Sequence, residues 1–158
     1  MIKSLKHIAL IALAACAVTM AVPSCNDNCM GNSSGIPLAA FYEGDKSVSV
    51  LDLTVYGIGA PNDSAIIRNT AATQVYLPLR ISVPSCQYVL DYNIEDEPND
   101  TITFTYDIIP YFESRECGAM YNFRIKEWAY TQYGIDSISI PNTMITNSDV
   151  VTIKIFMK

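Results

Sequence analysis

A chain of 158 residues, half of it apolar, with ten Lys and Arg against sixteen Asp and Glu and a single histidine, has the size of one domain with one core. Its net charge of −6 leaves no basic face for phosphate groups, which excludes nucleic acid as a partner and charge-driven binding to anionic lipid heads.

The N-terminus reads as an address. Lys3 and Lys6 make a short cationic start, Ile8 to Val22 is an uncharged apolar run, and Val22-Pro23-Ser24 leads into Cys25. The run has the length of a signal h-region and falls short of the roughly 18 apolar residues that a membrane span needs. The pattern predicts a lipoprotein signal peptide over residues 1–24 and lipidation of Cys25 by palmitate-type chains. Cys16 is the alternative lipid site, because Leu13-Ala14-Ala15-Cys16 is locally the better lipobox. Against it, the apolar run continues past Cys16, whereas polarity begins sharply at Cys25-Asn26-Asp27-Asn28. More than one acyl chain on the N-terminus makes a stable membrane anchor. The expected location is the cell envelope, at the outer membrane, with the body of the protein in an oxidising compartment.

Cleavage before Cys25 changes the chemistry available. It removes two of the ten cationic side chains and His7, leaving eight Lys and Arg against sixteen Asp and Glu, a net charge of −8, and no imidazole. Ser-His-Asp and Cys-His catalysis need a base that titrates near neutrality, and catalytic zinc sites usually recruit histidine, so these enzyme classes are closed. The sequence carries no cofactor motif, and the expectation is a protein that is not an enzyme.

Residues 25–36 are small, polar and aperiodic, a flexible lipidated stalk, and the domain is expected over 37–158. Strands are predicted at about 38–42, 47–56, 73–81, 86–92, 101–108, 119–130, 135–140 and 151–158. The clearest is Thr101 to Ile108, which alternates without a miss and puts Ile102, Phe104, Tyr106 and Ile108 on one face. Val151, Ile153, Ile155 and Met157 alternate in the same way with polar or outward residues. In 47–56 the apolar phase moves from Val48 and Val50 to Leu51, Leu53 and Val55. In 119–130 it moves from Tyr121, Phe123 and Ile125 to Trp128 and Tyr130. Each slip predicts a β-bulge. Pro78 lacks the N–H a ladder needs and assigns its strand to a sheet edge. No segment has helical periodicity. The fold class is all-β, an antiparallel two-sheet β-sandwich (Ig-like or similar) of about eight strands.

Past Cys25 the cysteines are Cys29, Cys86 and Cys117, which allow three single-bridge pairings. Cys86 shares a strand face with Tyr88, Leu90 and Tyr92 and reads as a small buried hydrophobe. Cys29 in the stalk and Cys117 in a turn can be joined without disturbing a core, so a Cys29–Cys117 disulfide is predicted.

Three groups of residues are candidate sites. Asp91, Glu95, Asp96, Glu97 and Asp100 fall within ten residues, and an oxygen-rich loop can hold a metal such as calcium. The spacing is not that of an EF-hand, and a solvated hairpin loop is the plainer reading. Two of these acids could also serve a carboxylate-based hydrolase, although acids on one short loop give no sign of facing each other across a cleft. Ten tyrosines and one tryptophan raise the prospect of an aromatic platform for a glycan, with Tyr76 on the outward phase of its strand as the exposed binding aromatic. Asp63-Ser64-Ala65, Asp100-Thr101-Ile102 and Asp136-Ser137-Ile138 resemble an O-glycosylation signal of exported Bacteroidetes proteins. Ser64, Thr101 and Ser137 would be the acceptors, although composition alone gives about one such match by chance.

Several segments occur together in a particular order: CNDNC, FYE, LTVYGIG followed by NDS, YLPL, TITFTY, ESRECG with YNF behind it, and a final VVTIKIFM. In this the chain resembles a family of small lipoproteins of Bacteroidetes known as a domain of unknown function. The resemblance spans nearly the whole mature chain and places family cysteines at Cys25, Cys29 and Cys117, with Cys86 an addition of this sequence. It implies no activity and carries over no functional residue. The function expected is a non-catalytic structural or accessory binding module, anchored to the membrane by its lipid and facing an envelope protein or a glycan. The alternative is a surface glycan-capture protein.

Overall fold

The computed structural model describes residues 34–61, 64–112 and 118–158. The signal segment, Cys16, Cys25, Cys29 and Cys117 lie outside the described residues. Among the described residues eleven strands form two sheets: β1 (Leu38–Glu43), β2 (Lys46–Ser47), β3 (Val50–Gly57), β4 (Ala65–Ala72), β5 (Gln74–Tyr76), β6 (Ser85–Asp91), β7 (Asp100–Phe112), β8 (Ala119–Tyr130), β9 (Ile135–Ser139), β10 (Met144–Ile145) and β11 (Val151–Met157). The larger sheet runs β10-β8-β7-β6-β3-β4, and the smaller runs β2-β1-β11-β9 with β5 also paired to β1. The protein is an all-β sandwich. One pairing departs from the antiparallel expectation, because β1 and β11 run parallel, with Phe41 opposite Ile155.

Alternation explains the core. Ile102, Phe104 and Tyr106 of β7, Phe123 and Ile125 of β8, Leu53 and Val55 of β3, and Phe41, Ile153 and Ile155 of the smaller sheet are almost wholly buried. They meet between the sheets, where the Tyr106 and Phe123 rings pack edge to face at 5.5 Å between centroids. Contacts with the domain begin ahead of Pro37: the Gly35 N–H donates to the Tyr121 carbonyl at 2.8 Å, and Gly35 lies so close to the Ile145 backbone that a Cβ would sit 2.7 Å from its oxygen.

Both expected bulges are present. On β8 the partner of Thr105 is Glu127 and that of Tyr106 is Ile125, so Lys126 is the extra residue. The slip returns Trp128 and Tyr130 to the face of Phe104 and Ile102. In the first half of the chain the expected single strand is two, β2 and β3. The phase changes at Asp52, which has a φ of 50°, and leaves Leu51 outside at 68% exposure instead of on the Leu53 face. The expected strand at 73–81 pairs with β1 only over Gln74–Tyr76. Beyond it, Leu77 and Leu79 remain buried; Leu77 N still donates to the Pro37 carbonyl at 3.0 Å, and the backbone groups after it meet side chains. The Tyr88 hydroxyl donates to the Pro78 carbonyl, and the Tyr106 hydroxyl accepts from Arg80 N at 2.9 Å and donates to Arg80 O at 3.0 Å. Two tyrosines thus replace the ladder that Pro78 cannot join. Pro110, inside β7, pairs with Tyr121 of β8 at a level past the end of β6, whose last partner is Thr105, so its missing N–H faces no strand.

Burial separates two phenylalanines of one strand. Phe104→Ala should cost about 3–5 kcal/mol, whereas Phe112→Ala, at a position 76% exposed, should stay within about 0.5 kcal/mol. Urea unfolding of the two variants beside the parent measures the difference.

Candidate functional site

The expected acidic loop contains one residue unlike the others. Asp100 continues the inward phase of Ile102 and Phe104 and is wholly buried. Its carboxylate accepts five hydrogen bonds. One oxygen takes the Thr131 hydroxyl at 2.7 Å and Tyr133 N at 2.9 Å. The other takes the Tyr92 hydroxyl at 2.8 Å, Gly134 N at 2.7 Å and Ile135 N at 2.8 Å. These donors come from the end of β6 and from the segment that carries the chain from β8 in one sheet to β9 in the other. Asp100 therefore clasps the corner where the chain changes sheets. Gly134 is required there, because a Cβ would lie 2.8 Å from the Tyr92 ring and hydroxyl. Burial alone would push the Asp100 carboxyl up; the donors from Tyr133, Thr131, Tyr92 and Ile135 outweigh it and hold the group below its ordinary value. Burial, and then the same carboxylate, push the Tyr92 phenol far up, so it remains a donor.

A groove of about 460 Å³ opens over this corner. Tyr92 and Gly134, both part of the clasp, line it together with Val50 and Met157. Three large apolar side chains stand exposed around it: Leu51 at 68%, Ile94 at 54% and Tyr133 at 54%. Its polar lining is Asp52, Glu97 and Lys158, the last with its ammonium donating to the Gln132 carbonyl at 2.5 Å. The rim is shaped by unusual backbone. Four non-glycine residues among those described have positive φ; Asp52 lines the groove, and Asn93 and Asp96 lie in the loop that brings Ile94 and Glu97 to it. The Asn93 amide donates to the Asp52 carbonyl and to the Thr54 hydroxyl, and that hydroxyl accepts from Asn69 N, the fourth such residue, at 2.9 Å. Left-handed residues held by side-chain bonds fix the loop rather than leave it free.

The other candidates are placed as follows. Asp91, Glu95, Asp96 and Glu97 do not converge with Asp100: no group of three or more His, Cys, Asp or Glu side chains fit to hold a metal exists among the described residues. Asp91 accepts from Asn93 N at 2.8 Å, and both Asp100 oxygens are committed to protein donors. Ser64 is exposed in the loop before β4, while Thr101 and Ser137 are half-buried within β7 and β9. The residues flanking Thr101, Asp100 and Ile102, are wholly buried. Tyr76, 39% exposed, donates its hydroxyl to Asp149 at 2.9 Å, a bond that raises the affinity of the phenol for its proton. Cys86 is a buried free thiol. Burial pushes its pKa up, partly offset by the Tyr88 and Tyr106 hydroxyls, so it is inert packing rather than a nucleophile.

Sequence reasoning passed over Leu51, Ile94 and Tyr133, and it grouped Asp100 with its solvated neighbours. The signal for Asp100 was present, since in Asp100-Thr101-Ile102-Thr103-Phe104 the aspartate occupies the apolar phase.

The sign of the Asp100 shift fixes a pH dependence. A carboxyl held lower in the folded than in the unfolded chain contributes stability above its unfolded value of 3.8, and that contribution disappears as pH falls through the lower folded value. Asp100→Asn turns a carboxylate into an amide facing backbone donors and should cost about 3–5 kcal/mol at pH 7. Its stability should also fall less steeply below pH about 4 than that of the parent. Denaturant unfolding from neutral pH to pH about 3 reads both.

The model of a family of unknown function (DUF6452) matches residues 52–157; no curated protein and no solved structure matches the chain. The matched stretch starts at Asp52 and contains Asp100 and all of its donors. It covers about two thirds of the 158 residues, and the chain belongs to this family of unknown function.

Proposed function

We propose that the chain is a lipid-anchored protein of the cell envelope whose sandwich is a non-catalytic binding module, structural or accessory, and that it holds its partner in the groove over Asp100. The observation that carries this reading is the gathering of Leu51, Ile94 and Tyr133, each more than half exposed, around one concavity. Scattered exposed apolar residues are ordinary, but a cluster around a formed groove marks an interaction surface. The groove rests on a clasped corner and a bonded rim, so little ordering entropy is lost when a partner docks. The anchor rests on the N-terminal pattern: a cationic start, an apolar run and the polar switch at Cys25. A lipid tether suits a module that works by holding a partner close to the membrane.

The tether is tested by palmitate labelling and membrane fractionation. Cys25→Ala should lose label and leave the membrane fraction, and Cys16→Ala should retain both; the opposite pattern moves the lipid to Cys16. The groove is tested by replacing Ile94 with a photo-crosslinking amino acid in intact cells. A discrete adduct is expected from position 94 and not from exposed Glu127 on β8. Adducts absent at 94, or equal at both positions, would contradict the reading.

A further inference from the structure

The charges around the groove say what kind of partner it takes. Asp52 and Glu97 line it, and Glu95 and Asp96 are exposed in the same short loop as Ile94 and Glu97. Among the described residues none of these four has a Lys or Arg within ion-pair distance. The one cation in the lining, Lys158, holds its ammonium on the Gln132 carbonyl, a neutral acceptor that leaves its charge in place. The groove thus has an apolar floor and a rim of net negative charge, four carboxylates against one ammonium.

This combination selects among occupants. A second copy docking the same face would set rim against rim, and like charges brought together are destabilising. An anionic lipid surface meets the same repulsion. The chain's own residues 26–33, NDNCMGNS, contain no Lys or Arg and one aspartate, so they lack complementary charge. A sugar would find one exposed aromatic face, Tyr133, but would have to cover the aliphatic Leu51 and Ile94, which offer it no hydrogen bond. An apolar side chain flanked by cations satisfies both the floor and the rim.

We infer that the groove over Asp100 is a docking site for a cationic segment of a partner protein, which seats an apolar side chain against Leu51, Ile94 and Tyr133 and sets Lys or Arg beside Asp52 and Glu97. This inference rests on the groove being the binding surface of the module and adds the chemistry of its occupant. The floor supplies affinity through burial of apolar area. The rim supplies selection against anionic partners and a salt-dependent association rate.

The test uses the full chain purified from membranes in an uncharged detergent, with empty micelles as the blank. The probe is a fluorescent peptide, acetyl-Lys-Lys-Leu-Lys-Lys-amide. Two controls replace its leucine by serine or all of its lysines by glutamate. The first peptide should bind, and each control should bind about tenfold more weakly or worse. Its affinity should fall as salt rises from about 0.05 M to about 0.5 M. The double variant Leu51→Ser, Ile94→Ser should weaken it about tenfold, while its circular dichroism stays that of the parent, since both side chains are surface-exposed. Equal binding of the leucine and serine peptides, or undiminished binding by the double variant, would reduce the effect to general charge attraction and overturn the inference. If no peptide binds while position 94 still crosslinks in cells, the occupant is wrongly assigned and the groove stands. If both fail, the binding-surface reading falls with it.

Discussion

The buried carboxylate of Asp100 is the constraint on which the rest of the molecule turns. A sandwich needs its chain to pass from one sheet to the other, and at each crossing backbone N–H groups lose their ladder partners. From the connection after β8 to the first residue of β9 three successive amides, those of Tyr133, Gly134 and Ile135, point at one side chain. An ionised acceptor makes these bonds stronger than neutral ones, and full satisfaction offsets the cost of burying the charge. The same carboxylate holds Tyr92, whose ring requires glycine at position 134. The corner continues to the C-terminal strand through Lys158 N, which donates to the Gly134 carbonyl at 3.0 Å. One side chain thereby ties the ends of β6, β7, β8 and β11 to the start of β9.

The groove is a consequence of that corner. Tyr92 and Gly134 belong to its wall because Asp100 holds them there. The opposing rim belongs to it because the left-handed turn at Asp52 throws Leu51 outward at the place where the β3 phase reverses. A local irregularity of the strand and a buried electrostatic clasp therefore meet at one end of the sandwich. The acidic character of the chain becomes specific there, since the exposed carboxylates of the 92–99 loop stand beside exposed apolar side chains.

Much of the fold was legible because strands half-buried against one core write their burial as alternation. β7 and β11 were plain for that reason, and the bulge at Lys126 showed itself as a phase slip. β4 was not legible. Its two adjacent isoleucines followed by Arg68-Asn69-Thr70 show no period of two, since its pairing with β3 shifts register three times and Asn69 turns left-handed. β10, two residues long, is too short to carry a pattern. Leu51 was placed on the wrong face because a slip can be located only to within a residue or two unless the residue that absorbs it, here Asp52, is known. The site was harder to read than the fold. Ile94 sits in a run of carboxylates and turn formers, and only tertiary structure brings it beside Tyr133, nearly forty residues on. Asp100 was the exception: a charge on the apolar phase of an otherwise perfect alternation marks a buried ion that must find its partners.

Hydrogen exchange of the Tyr133, Gly134 and Ile135 amides measures the clasp most directly, because each of them donates to the Asp100 carboxylate and not to a neighbouring strand. If the carboxylate holds the corner, the three should exchange on the slow timescale of the central β7 amides, and all three should move together to fast exchange in Asp100→Asn. Exchange at the rate of the neighbouring exposed loop in the parent protein would contradict the account, and with it the rigid floor on which the groove depends.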